Sequence, residues 1–79
     1  MHQQTMVQST VAPGCALLAT WRKEKNLTQA ELGIMLHVTA TSVCDWERGK
    51  KLPKIQHAIA IAELTSIPVS AWLPVGVAA

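Results

Sequence analysis

Residues Val38–Pro53 read VTATSVCDWERGKKLP, and how this stretch folds decides the architecture. His37 and Val38 make a short break. Thr39 follows as a hydroxyl residue suited to cap a helix, and Gly49 supplies a left-handed stop. A helix from Thr39 to about Arg48 turns Val43, Trp46 and Glu47 toward one side. The charge order is unusual, because Asp45 and Glu47 stand directly before Arg48, Lys50, Lys51 and Lys54. A carboxylate facing the same anion as the lysines would repel it, so the two acids need separate tasks. The expectation is that one points inward and the other faces outward.

Upstream, Leu27 leads into Thr28-Gln29-Ala30-Glu31, a T-x-x-E capping box in which hydroxyl and carboxylate satisfy each other's backbone donors. It opens a helix through Leu32 and Leu36. Earlier still, CALLATWRKEK places Leu17, Leu18, Trp21 and Arg22 on neighbouring helical positions. Pro13 is acceptable in a first turn, and Asn26 is a fair left-handed stop. Downstream, Lys50 to Pro53 form a loop. Ile55, Ala58, Ile59, Ala62 and the neighbouring Leu64 then give the clearest amphipathic stripe, predicting a helix that ends near Thr65. A last short turn, Val69 to Leu73, is closed by Pro74 and Gly76. There is no repeat and no β alternation. Residues 1–12 carry no period and no Lys or Arg, which predicts a flexible N-terminal arm. Residues 13–74 form the domain and 75–79 a short tail.

The totals bound the function. A chain of 79 residues allows one domain with a modest core. Hydrophobic residues at 49% without Phe or Tyr favour a small helical bundle. A net charge of +2 and a pI of about 8.8 are too mild to indicate nucleic-acid binding alone. The distribution says more: one basic cluster runs from Arg48 to Lys54, and Arg22, Lys23 and Lys25 form the other. Cys15 and Cys44 lack CxxC spacing, and His37, Cys44 and His57 follow no familiar zinc spacing, so neither metal, cofactor nor disulfide is expected. His2, His37 and His57 fall in an arm, a turn and a helix with no convergent carboxylate or nucleophile, which argues against an enzyme. No apolar run approaches the roughly 18 residues of a membrane span, and MHQQTMVQST lacks signal-peptide order. The expected location is the cytoplasm.

Two helices joined by a very short turn are what a helix-turn-helix needs to lay its second helix in the DNA major groove. The run LTQAELGIMLHVTATSVCDWERGKKLP, Leu27 to Pro53, resembles the phage repressor and Cro family of helix-turn-helix regulators, also described as xenobiotic-response-element-like. The resemblance extends from about Leu17 to Leu73. It implies an all-α, compact five-helix lambda-repressor-like DNA-binding domain with a central helix-turn-helix. It implies that the Gln29 amide meets a DNA phosphate, that Gly33 lets the motif helices cross closely, and that His37 stands at a turn position usually held by Gly. Val43 would anchor the recognition helix, and Glu47 would pair with Arg22. The IPVSAWL ending places Trp72 where family members dimerise.

On such a recognition helix, Ala40, Thr41, Cys44 and Asp45 are the expected base contacts. Ala40 and the Thr41 methyl suit thymine methyls, and Asp45 suits a cytosine or adenine amino group. Ser42, Arg48, Lys50, Lys51 and Lys54 join Gln29 as expected phosphate contacts, and the helix start near Ile55 can add another. The expected partners are double-stranded DNA and a second copy of the chain. The expected role is a Cro-like repressor on a near-palindromic operator, with no small-molecule ligand. An antitoxin with a toxin partner, a restriction–modification controller, and a helical adaptor without DNA binding are the alternatives.

Overall fold

The computed structural model describes residues 12–73. They form four α-helices and one 3-10 turn: α1 Pro13–Glu24, α2 Gln29–Leu36, α3 Ala40–Arg48, α4 Ile55–Thr65 and the turn Val69–Trp72. The fold is all-helical. The expected count of five helices is corrected, since the last element is a single four-residue 3-10 turn. Pro68 precedes it, and the segment has no room to propagate an α-helix before Leu73 leaves helical geometry.

Local chemistry sets the boundaries. Thr28 Oγ1 accepts from the Glu31 N–H at 3.0 Å, and the Thr28 N–H donates to Glu31 Oε1 at 2.8 Å, so the capping box is formed. Thr39 accepts from the Ser42 N–H at 3.1 Å and caps α3. All four helices end on left-handed residues: Asn26 after α1 at φ 59°, His37 after α2 at φ 62°, Gly49 after α3 at φ 77° and Ser66 after α4 at φ 69°. His37 therefore does the work of the usual Gly, with the modest cost of a Cβ in that region. Gly33 cannot be replaced as easily, because a Cβ there would lie 2.6 Å from the Val38 carbonyl oxygen. The missing side chain is what lets the chain double back so tightly from α2 into α3.

Leu18, Leu32, Val43 and Ile61 are fully buried, one from each helix, and Cys15, Trp46 and Trp72 complete the centre. Burying each large aliphatic side chain contributes roughly 2 kcal/mol before entropy is counted. Two expectations about the core change. On α4 the buried positions are Ala58, Ile61 and Thr65, whereas Ile55 and Ile59 of the expected stripe are exposed at 62% and 46%. The run AIAIA, Ala58 to Ala62, is apolar on every side, so its period cannot choose a face. Thr65 enters the core because its hydroxyl donates to the Ile61 carbonyl at 2.8 Å and accepts from the Ile67 N–H at 3.0 Å. At the other end Ala12 is buried, so the folded body begins one residue inside the expected arm; residues 1–11 and 74–79, with the expected closure at Pro74 and Gly76, lie outside the described residues.

Candidate nucleic-acid interface

The interface rests on a latch beneath α3. Arg22 Nε donates to Glu47 Oε2 at 2.6 Å, Nη2 donates to Oε1 at 3.0 Å, and Nη1 donates to the Leu27 carbonyl at 2.8 Å. Gln29 Nε2 donates to the same Glu47 Oε1 at 3.1 Å. The Arg22 and Glu47 side chains are only 13% and 6% exposed. Hydrogen bonds to the Glu47 carboxylate push the Arg22 guanidinium above its usual range, against the opposing effect of burial. The Glu47 carboxylate thus ties α1, the start of α2 and the end of α3 together, and Arg22 adds the α1–α2 corner through Leu27. Desolvation offsets much of the attraction, so the latch fixes geometry more than it adds net stability.

The family resemblance pairs Arg22 with Glu47, and the two are in bidentate contact. Gln29, expected at a DNA phosphate, has one of its amide N–H groups engaged by Glu47. An amide nitrogen has a second N–H, and the first backbone N–H groups of α2 lie beside it. The carboxylate in that arrangement orients the donor.

The outer face of α3 presents Ala40, Thr41 and Arg48 to solvent, with Cys44 half-buried between them. Arg48 Nη1 lies 3.9 Å from Cys44 Sγ. Ser42 is turned aside, because its hydroxyl is 3.2 Å from Thr39 Oγ1 within the cap. Asp45 does not stand on the outer face as expected. Its side chain is 15% exposed and lies 3.9 Å from Lys51 Nζ. Its carbonyl accepts from the Lys50 N–H at 2.9 Å and the Lys51 N–H at 3.4 Å, so the loop folds back over this flank. The helical phase explains the outcome: Asp45 shares an edge with Ser42 and Gly49, the side from which the chain leaves α3. Both carboxylates of the opening stretch are therefore directed into the structure, and the outer face is left without an acid.

Arg48, Lys50, Lys51 and Lys54 are all exposed around the exit of α3. Of these, only Lys51 has a carboxylate within salt-bridge distance among the described residues. Lys54 caps α4 through its backbone carbonyl without a side-chain hydrogen bond, leaving the first N–H groups of that helix open. Between α3 and α4, Ser42, Trp46, Lys51, Leu52, Lys54 and His57 enclose a cleft of about 270 Å³. His57 was not among the expected site residues. Nothing in the periodicity of α4 marks it, and only the packing of its ring 5.5 Å from that of Trp46 brings it here.

Trp72 is corrected from interface to core. Its ring is 4% exposed within one chain and covers Gly14, where a Cβ would come within 2.7 Å of the indole. The exposed apolar residues beside it are Val69 and Leu73, at 36% and 59%. Burial pushes the Cys15 thiol up, which keeps it protonated and inert. Among the described residues, no three His, Cys, Asp or Glu side chains converge on a metal-sized site, and no helix is long and apolar enough to cross a membrane.

Comparison with known proteins agrees with this geometry. The helix-turn-helix family model matches residues 18–72. No curated protein matches the chain significantly. Among solved structures, hydroxypropylphosphonic acid epoxidase from S. wedmorenis is similar, with a TM-score of 0.61 and 28% identity over 84% of this chain and 36% of that one. A structure of FeII HppE in complex with substrate is similar at a TM-score of 0.60 and 27% identity, over 81% of this chain and 38% of that one. The chain thus spans little more than a third of the length of the solved structures it matches.

Proposed function

Because the chain belongs to the phage repressor and Cro-type helix-turn-helix family, we propose that this DNA-binding transcriptional regulator is a Cro-like repressor that occupies a near-palindromic operator as a homodimer. The observation that carries the reading is the acid-free outer face of α3, bordered at its exit by Arg48, Lys50, Lys51 and Lys54. Ala40, Thr41 and Cys44 are the groove-facing residues and offer methyl and thiol contacts to base edges. The basic residues meet the backbone and supply affinity without sequence information. Gln29 adds a backbone contact from the start of α2, oriented by Glu47. In the dimer, Val69 and Leu73 form the contact in place of Trp72, and the two α3 helices stand about 34 Å apart, one turn of DNA.

The test is a fluorescence titration with random duplex DNA at low and moderate salt, followed by selection of bound sequences from a random pool. The reading expects affinity at low salt that falls linearly on logarithmic axes, and a selected site with two related halves. Absence of binding at low salt would remove the DNA-binding role for this chain. A single unrepeated half-site bound by a monomer would remove the dimer.

One observation favours a second reading, a helical adaptor or antitoxin that binds protein. Ile34 is 73% exposed and Met35 46% on α2, and Ile55 and Ile59 leave an apolar strip along α4. The solved structures that carry this fold as part of a longer chain are consistent with a module serving other domains. An adaptor shows little duplex affinity and no salt slope, so the same titration separates the two. No reaction is assigned to this chain; epoxidase activity belongs to the similar solved protein.

A further inference from the structure

The cleft between α3 and α4 has chemistry that the outer face of α3 does not use. Its lining combines the buried Trp46 and the half-exposed Leu52 with the polar side chains of Ser42, Lys51, Lys54 and His57. With about 270 Å³ of space, against about 30 Å³ for each water in the liquid, it suits one hydrated oxyanion group. Every polar side chain of the lining can donate a hydrogen bond, and none carries negative charge.

The surroundings of His57 are defined element by element. Trp46, on α3, packs with its ring tilted 42° to the imidazole, and Ser42 lies one turn earlier. From the loop come Lys51 and Lys54. The carboxylate on this flank of α3, Asp45, is held by Lys51 at 3.9 Å, and Glu47 is committed to Arg22 and Gln29. The first turn of α4 contains no acid. An anion entering the cleft therefore meets donors only, apart from the Asp45 carboxylate behind Lys51.

We propose that this cleft takes one phosphate group of the DNA backbone, gripped by the Ser42 hydroxyl, the Lys54 ammonium and the protonated imidazole of His57, so that duplex binding takes up a proton. The inference rests on the DNA-binding reading and adds a ligand and a pH response to it. Neutral imidazole has one N–H, and the second donor appears only on protonation. A phosphate beside the ring favours the charged form, and linkage then requires affinity to rise as pH falls through the histidine range. The expected gain in affinity is about tenfold between about pH 8 and pH 5.5 at constant ionic strength.

The test measures duplex dissociation constants by anisotropy across that range for the unmodified chain, His57→Gln and His37→Gln, with nuclear magnetic resonance titration of the imidazole C–H signals in free and bound protein. His37 is the internal control, exposed in the turn and away from the cleft lining. The expected result is a pH slope shared by the unmodified chain and His37→Gln, flattened in His57→Gln, with the His57 signal titrating at higher pH in the complex. An unchanged slope in His57→Gln, or a His57 signal that DNA does not move, overturns the inference. Should His57→Gln fail to fold, the signal of the unmodified chain decides. Binding that is equally tight at every pH removes this inference alone, whereas no binding at any pH removes the DNA reading with it.

Discussion

Two carboxylates on one helix, Asp45 and Glu47, are separated by a single residue and lead different lives. Glu47 is almost buried, accepts from Arg22 at 2.6 and 3.0 Å, and accepts again from Gln29. Asp45 meets one lysine at 3.9 Å, and that lysine is 76% exposed. A planar guanidinium held on two oxygens is a fixed, directional pairing, while a lysine on a flexible stem in water contributes little. Burial and bidentate geometry, and not the presence of charge, separate the structural acid from the incidental one.

The largest effect should come from breaking the first. Glu47→Ala leaves a guanidinium buried without its partner and is expected to lower stability by about 3 kcal/mol. Thermal melting followed by circular dichroism checks it, and an unchanged midpoint would mean that the latch is ornamental. Gly33→Ala is next, since the added methyl meets backbone oxygen at 2.6 Å rather than a movable side chain. The expected loss is about 2 kcal/mol, read from a denaturant midpoint, with the slope of the transition retained. A neutral substitution there would show that the α2–α3 corner can open without cost.

Asp45→Asn sharpens the contrast. Loss of a loose ion pair to a largely exposed lysine should change stability by less than about 1 kcal/mol, while duplex affinity rises because a negative charge near phosphate is gone. If Asp45 read a base, the same substitution would weaken binding to the selected site and relax its sequence at one position. The smallest effect is expected at the turn: His37→Gly relieves a left-handed Cβ and should raise stability by at most about 1 kcal/mol, partly cancelled by added freedom in the unfolded chain. Chemical denaturation of the two proteins side by side decides whether the turn is strained.

The divide between Asp45 and Glu47 also marks what the sequence made legible. Thr28 and Glu31, Thr39, Asn26, His37 and Gly49 were readable because caps and stops act over three or four residues and need no partner elsewhere. The inward course of Glu47 followed from the family resemblance together with Arg22. The side taken by Asp45 depends on where Lys50 and Lys51 send the chain afterwards, which no helical period contains. The same holds on α4, where Ala58 to Ala62 are apolar all round and the packing of Ile61 and Thr65 was settled by neighbouring elements. The resemblance places Trp72 at an interface, and the small residue that makes room for it, Gly14, lies at the far end of the chain. His57 came to the cleft by the same kind of distant packing.

The most direct measurement is a map of backbone amide chemical shifts on adding a short duplex carrying the selected site. Shifts should gather at Ala40, Thr41 and Cys44, along Arg48 to Lys54, and at the start of α2 near Gln29, while Ile34 and Met35 stay unmoved. Shifts confined to Ile34, Met35 or the Ile55–Ile59 strip, with Thr41 silent, would contradict the assignment of α3 to the groove.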